Sequence, residues 1–282
     1  MSPILIHIHV FYPELWDELA ECLRSLAGFP YECVVTVPQN RGDLLSLFEG
    51  NKNISKIIQV ENRGYDIAPF LQIIQGVNLG KYSYVIKLHT KRDMPGDVYF
   101  KPNPYNYGGS RWRQYLLNCC REEHLKEIIR KLEMTPALGM VADYRLIWPY
   151  EERRFMEKLR ETLHEAGLAY KGYKYVLGSM FICRACLLEP LQRLNLTAAD
   201  FSAPDTAHSE NLAHVLERFM GVSVIAQGAE IADVFTSSRT QGKLAWMLRR
   251  IWSFLYYRKR GADGGLILKI CKIPVYRRRG NR

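Results

Sequence analysis

The feature that most limits what this chain can fold into is the alternation, over its N-terminal third, of short β-branched runs with amphipathic helical stretches. Residues 4–10 (Ile-Leu-Ile-His-Ile-His-Val) read as a strand. Residues 13–27 read as a helix. Pro13 stands at its start, Leu15, Leu19, Leu23 and Leu26 recur at helical spacing, and Gly28 suits the position just past its end. Residues 32–37 and 54–60 supply two more strands, about 66–77 a second helix, and 82–88 a fourth strand. This alternation predicts an α/β fold with a mostly parallel sheet and right-handed crossovers. Further on, helices are expected over 110–132 (broken near Arg121), 151–167, 185–194 and 209–219, and short strands over 138–142, 176–183 and 222–226. Residues 94–109 mix prolines, glycines and aromatics and predict a long ordered loop.

Charge divides the chain where composition shifts, near residues 236–243. From Arg239 to the end there are 13 Lys/Arg and a single acid, Asp263, a local charge of +12, whereas residues 1–238 carry 26 basic and 28 acidic side chains. A near-neutral body argues against a nucleic-acid-binding fold, which would spread basic residues over its surface. The division expected is a domain over 1–237 and a basic amphipathic tail over 238–282. In that tail Trp246, Trp252, Tyr256 and Tyr257 alternate with Arg and Lys, and residues 266–275 add a second apolar stretch before Arg277-Arg278-Arg279. The stretch 244–257 is shorter than the roughly 20 apolar residues a membrane span needs. Its composition suits an anionic lipid interface, or else a helix packed on the body or on a partner subunit. The seven cysteines include one C-x-x-C, Cys183–Cys186, with no second pair and no His pair at zinc-ligand spacing. Buried, reduced thiols of a cytoplasmic protein are the expectation, and the strand-like N-terminus offers no export signal.

In an open parallel sheet, ligands bind beyond the carboxyl ends of the strands. That rule selects four places. His7 and His9 share one face at the end of the first strand, as nucleotide contacts or as satisfied histidines of a polar strand end. In Glu61-Asn62-Arg63-Gly64-Tyr65-Asp66, Gly64 permits a tight turn. There Asp66 either caps the helix that follows or, with Asn62, hydrogen-bonds a ribose or base, while Arg63 could pair with a diphosphate. In Lys87-Leu88-His89-Thr90-Lys91-Arg92 the aspartate pair that often holds a divalent cation near such a position is missing. His89, Lys91 and Arg92 could supply positive charge directly, or form a solvated basic turn. No metal motif is evident, and a requirement for Mg²⁺ or Mn²⁺ stays open. The fourth place is Gly178-Ser179-Met180-Phe181, followed by Asp205 and by Glu210, His214 and Glu217. The last three fall on one helical stripe that either faces solvent or presents a carboxylate to an acceptor hydroxyl.

The ordered set Asn62-Arg63-Gly64-Tyr65-Asp66-Ile67, Lys87-Leu88-His89-Thr90-Lys91, Gly178-Ser179-Met180-Phe181, and Ala213-His214 with Glu217-Arg218 resembles the rhamnan synthesis protein F family of bacterial glycosyltransferases, over roughly residues 3–235. The resemblance implies a GT-A-like fold and an activated donor such as dTDP-rhamnose. It also implies a lipid-linked saccharide acceptor and a role in rhamnose-containing cell-wall or O-antigen polysaccharide. With such an acceptor, the basic aromatic tail is expected to contact an anionic membrane surface, placing the protein peripherally on the inner face of the cell membrane. The family's last helix carries an Asp-Gly pair ahead of its Ala-His. Here Ser209-Glu210 stands nearby, so Glu210 is the first candidate base and Asp205 the second. The expected reaction is an inverting transfer. The donor contacts would be His9, Asn62, Arg63, Asp66, His89, Lys91, Gly178 and Ser179, with His214 and Glu217 on the acceptor side. The alternative is a non-catalytic, transferase-like module that tethers a polysaccharide assembly complex to the membrane.

Overall fold

The computed structural model describes residues 2–103, 105–202, 212–233, 251, 256–260, 266–270 and 273–278. The chain divides into two compact units, one of residues 1–90 with 116–234 and the other of 91–115 with 235–282. In chain order the first unit opens with β1 (Ile4–His9), α1 (Trp16–Ser25), β2 (Tyr31–Pro38), β3 (Lys56–Val60), α2 (Ile67–Gly76) and β4 (Tyr84–His89). After α3 (Arg111–Leu117), whose last residues belong to it, the unit continues with α4 (Glu122–Met134), β5 (Leu138–Ala142), β6 (Ile147–Trp148), α5 (Arg153–Glu165) and β7 (Tyr175–Val176). It ends with β8 (Phe181–Arg184), α6 (Glu189–Gln192), α7 (Leu212–Ala226) and β9 (Glu230–Asp233). Arg121, predicted as a break, is extended and separates α3 from α4.

The main sheet has seven strands in the order β3-β2-β1-β4-β8-β5-β9. All run parallel except β8, which is antiparallel to both β4 and β5. From β1 to β3 the sheet grows in one direction, and α2 then carries the chain back across to β4. Right-handed crossovers therefore put α1 and α2 on opposite faces. Consistent with this, α1 packs with α4, whereas α2 packs with α6 and α7. The order reverses between β1 and β4, and the carboxyl ends at such a reversal are where open α/β sheets take their ligands. Both strands are buried along their whole length, as central strands covered on both faces must be.

Two expected strands are corrected. The strand expected over 176–183 is divided by the left-handed residues Gly178 and Ser179 into β7, which pairs with β6, and β8 of the main sheet. Residues 222–226 (Val-Ser-Val-Ile-Ala) are the last turns of α7, and the strand lies instead at Glu230–Asp233. Val222, Val224 and Ala226 are buried; a short apolar run reads alike as a core strand or as a helix buried on most sides. Gly228, in the left-handed region at φ +84°, ends the helix.

In the second unit the loop closes on itself. Met94 and Gly109 exchange backbone hydrogen bonds of 3.3 and 2.6 Å. Phe100, Tyr107 and Trp112 pack with ring centroids 4.9–5.6 Å apart, and Arg113 pairs with Asp93. The described tail residues include β10 (Tyr256–Arg260), β11 (Leu266–Ile270) and β12 (Ile273–Arg278), an antiparallel meander.

Candidate active site

Strand alternation puts His7 and His9 on one face of β1, the face covered by α2, where the His7 ring lies 5.5 Å from that of Phe70. Register brings their neighbours to the same face, with His7 opposite Lys87 and His9 opposite both His89 and Thr36. Five polar side chains thus sit under a helix, all nearly or wholly buried. Each needs a partner there.

The two N-terminal histidines share one. His7 Nε2 lies 2.9 Å and His9 Nδ1 3.0 Å from the Thr36 hydroxyl. A hydroxyl donates once and accepts from another donor, so it can bridge two neutral imidazoles. Burial drives the His7 pKa well below its ordinary value, helped by the charge of Lys87. Burial likewise lowers His9 to about 4, against an opposing pull from Asp66. Both are uncharged at neutral pH.

The other partner is Asp66, which immediately precedes α2. Its side chain does not cap that helix. Its Oδ2 accepts from the Lys87 ammonium and from the Ser179 hydroxyl at 2.6 Å, and lies 3.4 Å from His89 Nδ1. Lys87 also donates to Ser179 Oγ at 2.9 Å, and its side chain has no solvent exposure. Burial pushes the Asp66 carboxyl upward. The charges of His89 and Lys87, with the hydrogen bonds from Lys87 and Ser179, overcome this and hold it well below the usual carboxylate range. Asp66 is a fixed anion and a poor proton acceptor. All its hydrogen bonds and ion pairs fall on Oδ2. Oδ1 has no hydrogen-bond partner among the described residues, and the side chain as a whole is 17% exposed.

Two tight turns bring Asp66 and Ser179 together. Gly64 and Tyr65 have φ of +61° and +55°, and Gly178 and Ser179 have +80° and +54°. A side-chain-bearing residue in the left-handed region costs about 1–2 kcal/mol, and such residues persist where the surroundings over-determine them. At Gly64 an added Cβ would stand 2.5 Å from Phe201 Cδ1 and 2.7 Å from Ala68 Cβ. The Gly178 N–H donates to Glu217 Oε1 at 2.6 Å. Glu217 in turn accepts from Arg218 at 3.1 Å, and Arg218 Nε donates to Glu152 at 2.8 Å. The buried Arg218 guanidinium lies over the Phe155 ring at 3.9 Å and over Tyr175 at 4.7 Å.

The structure therefore gathers His9, Asp66, His89 and Ser179 into one cluster, with Gly178 and Glu217 bracing it. Asn62 is half-buried in the bend before Gly64. Arg63 donates to the Phe201 carbonyl at 3.0 Å and lies 3.5 Å from Glu61. The His214 ring stacks on Phe155 at 6.3 Å and meets Tyr65 edge-on at 6.1 Å. Lys91 belongs to the second unit, where its ammonium lies 5.4 Å from the centre of the Trp112 ring. Asp205 and Glu210 lie outside the described residues. Among the described residues no group of three or more His, Cys, Asp or Glu could hold a metal ion.

Sequence reasoning placed the chemistry of its segment on His89, Lys91 and Arg92 and missed Lys87. The signal was a lysine inside an apolar strand, two residues before His89 and so on its face. Thr36 gave no signal, because threonine is at home in any strand. The brace from Arg218 to Glu152 joins residues far apart in sequence and could not be read from spacing.

Residues 1–229 match the rhamnan synthesis protein F family. The chain belongs to that family. The mostly parallel seven-stranded sheet flanked by helices bears out the α/β architecture expected of it. The uncharacterized protein WxcX of Xanthomonas campestris pv. campestris (strain B100) is 25% identical over 240 residues, covering 80% of this chain and 32% of that protein. The WxcX of a second strain of the pathovar matches to the same extent. The chain thus spans about a third of the length of these curated relatives. Among solved structures, S. aureus TarS 1–349 aligns loosely, with a TM-score of 0.40 and 12% identity over 90% of this chain and 65% of that one.

Proposed function

We propose that this family member transfers a sugar, favoured to be L-rhamnose, from a nucleotide-diphosphate donor to a lipid-linked saccharide in bacterial surface polysaccharide assembly, whether cell-wall polysaccharide or O-antigen. The observation that carries the reading is Asp66. It is an anion held through Oδ2 by Lys87 and Ser179, with His89 3.4 Å away and its side chain 17% exposed, beside the carboxyl ends of β1 and β4. A carboxylate held ionised repels phosphate and accepts from a hydroxyl. It suits a ribose or sugar hydroxyl of the donor. Arg63, on the same turn, supplies positive charge toward the diphosphate.

In the transfer, the acceptor hydroxyl oxygen forms a bond to the anomeric carbon as the bond from that carbon to the diphosphate oxygen breaks. The hydroxyl proton passes to a carboxylate, Glu210 or Asp205, and the nucleoside diphosphate leaves with the bonding pair. A single displacement of this kind inverts the anomeric centre. Asp66 does not serve as the base, because its depressed pKa gives it little affinity for a proton.

The lipid end of the acceptor suggests that the enzyme works at the inner face of the cell membrane, peripherally and from the cytoplasm. In support, Ile270, Ile273, Val275 and Tyr276 are about half or more exposed on β11 and β12, within a segment of net charge +12. No helix among the described residues is long and apolar enough to cross a membrane.

The test is calorimetric titration of the whole chain with a panel of nucleoside diphosphates and nucleotide sugars, with and without Mg²⁺ or Mn²⁺. Selective binding of one donor, weakened in Asp66→Asn and His89→Ala, is the expected result. A folded protein that binds none of them would be a non-catalytic tether of a polysaccharide assembly complex. Turnover unchanged in both Glu210→Gln and Asp205→Asn would remove those two residues as bases.

A further inference from the structure

We infer that a groove beside the Asp66 cluster holds a neutral saccharide, the glycan part of the acceptor; the choice of ligand rests on the glycosyltransferase reading. The groove has a volume of about 320 Å³ and is half open to solvent. It is bounded by the residues that end β2 and β3, by one side of α2, and by residues 196–198. Its size falls at the lower end of the range for small-ligand sites.

Its chemistry selects the ligand. Four glutamines line it, namely Gln39, Gln59, Gln72 and Gln75, with Thr197 and one charged side chain, Glu61. The Gln75 amide nitrogen donates to the carbonyls of Leu194 and Leu196, at 2.7 and 3.2 Å, and so fixes the far wall against α2. Its carbonyl oxygen is left as an acceptor. The side chains of Gln39, Gln59 and Gln72 have no hydrogen-bond partner among the described residues. Among the described residues no lysine, arginine or histidine lines the groove. A phosphate or diphosphate would find no counter-charge there and would face Glu61. Among the described residues no aromatic ring lines it either, so a nucleobase would lack the stacking surface on which bases are usually held. A lipid chain would leave four amides desolvated. A polyhydroxylated, uncharged ligand is the remaining match, since each hydroxyl both donates and accepts, as each primary amide does. Val60, Ala68 and Leu71 offer the apolar floor that suits the C–H face of a sugar ring.

Placement fits the same reading. The helix that supplies Ala68, Leu71, Gln72 and Gln75 begins at the residue after Asp66, and Ala68 lies directly beneath the Gly64 turn. A glycan in the groove would therefore be held on the element that positions Asp66.

The experiment is side-chain amide NMR of the full chain with neutral oligosaccharides of rhamnose, glucose, mannose, galactose and N-acetylglucosamine, and separately with nucleoside diphosphates. Shifts of the Gln39, Gln59 and Gln72 amide signals with at least one oligosaccharide, and not with the nucleotides, are expected. In Gln59→Leu/Gln72→Leu, whose altered side chains are surface-exposed, saccharide affinity should fall about tenfold, as losing one to two hydrogen bonds implies. Donor affinity should be unchanged. Shifts caused by the nucleotides, or by no oligosaccharide of the panel, would overturn the assignment. Donor titration separates the two failures: loss of the groove reading with donor binding intact leaves the transferase reading standing, whereas absence of donor binding removes that reading itself.

Discussion

Lys87 shows at the level of a single residue what the site costs and what it provides. A lysine with no solvent exposure is tolerable where Asp66 and Ser179 meet its ammonium. Lys87→Met should remove about 3–5 kcal/mol of stability by taking from the buried Asp66 carboxylate a counter-charge that also hydrogen-bonds it, as measured by urea unfolding. The histidines make a different prediction. The folded-state pKa of both His7 and His9 lies below the unfolded value of 6.5, so below pH 6.5 the unfolded chain binds protons that the fold refuses. Stability is therefore full above pH 6.5 and falls as pH drops toward about 4. Each histidine contributes up to about 1.4 kcal/mol per pH unit. Asp66 acts lower down. Its folded pKa is depressed below 3.8, so its contribution is present above that pH and is lost beneath it. Unfolding curves at pH 7, 5.5 and 4.5 test this, and His9→Asn should flatten the slope. At this scale the sequence was partly legible. Asp66, His89 and Ser179 could be picked out because turns and strand ends carry function. Lys87 was obscured by the basic residues that follow it, which make the segment look solvated.

Between the residue and the fold stand the two left-handed turns, Gly64-Tyr65 and Gly178-Ser179. Gly64→Ala would force a Cβ into Phe201 and Ala68, and should destabilise by about 1–3 kcal/mol as overpacking does; thermal unfolding reads this. The second turn is braced from α7. In Glu217→Ala the Gly178 N–H loses its acceptor, and donor affinity should fall about tenfold if the net loss is near 1.4 kcal/mol. Glu217→Gln keeps an acceptor oxygen and should recover most of that affinity, which a general loss of folding would not permit. The elements themselves followed closely from periodicity where strand and helix alternate, from β1 through β4. They did not near 222–226, where Val-Ser-Val-Ile-Ala satisfies a buried helix as well as a strand and only packing against the sheet decides. The strand at Glu230–Asp233 is four residues long and half polar, too short to announce itself.

Over the whole molecule, charge is the property most unequally shared. A body of net charge −2 carries a tail of +12, so association with an anionic surface should depend on the tail and on salt. Co-sedimentation with phosphatidylglycerol vesicles is expected and with phosphatidylcholine vesicles is not. Replacing Arg277, Arg278 and Arg279 together by Gln should weaken binding roughly a hundredfold, at about 1 kcal/mol per arginine. Raising the salt to 1 M, where the screening length is about 3 Å, should abolish most of it. Binding that ignores salt would point to the apolar residues of β11 and β12 as the main contact. The reversed strand β8 has a consequence of another kind. In a parallel strand the residues at the ligand rim come after the hydrogen-bonded ladder; in β8 they come before it, so residues 177–180 form a lip ahead of the strand they introduce. Since Glu217 pins Gly178 while Ser179 meets Asp66 and Lys87, a change in that lip is felt by the buried ion pair before it reaches the ladder behind.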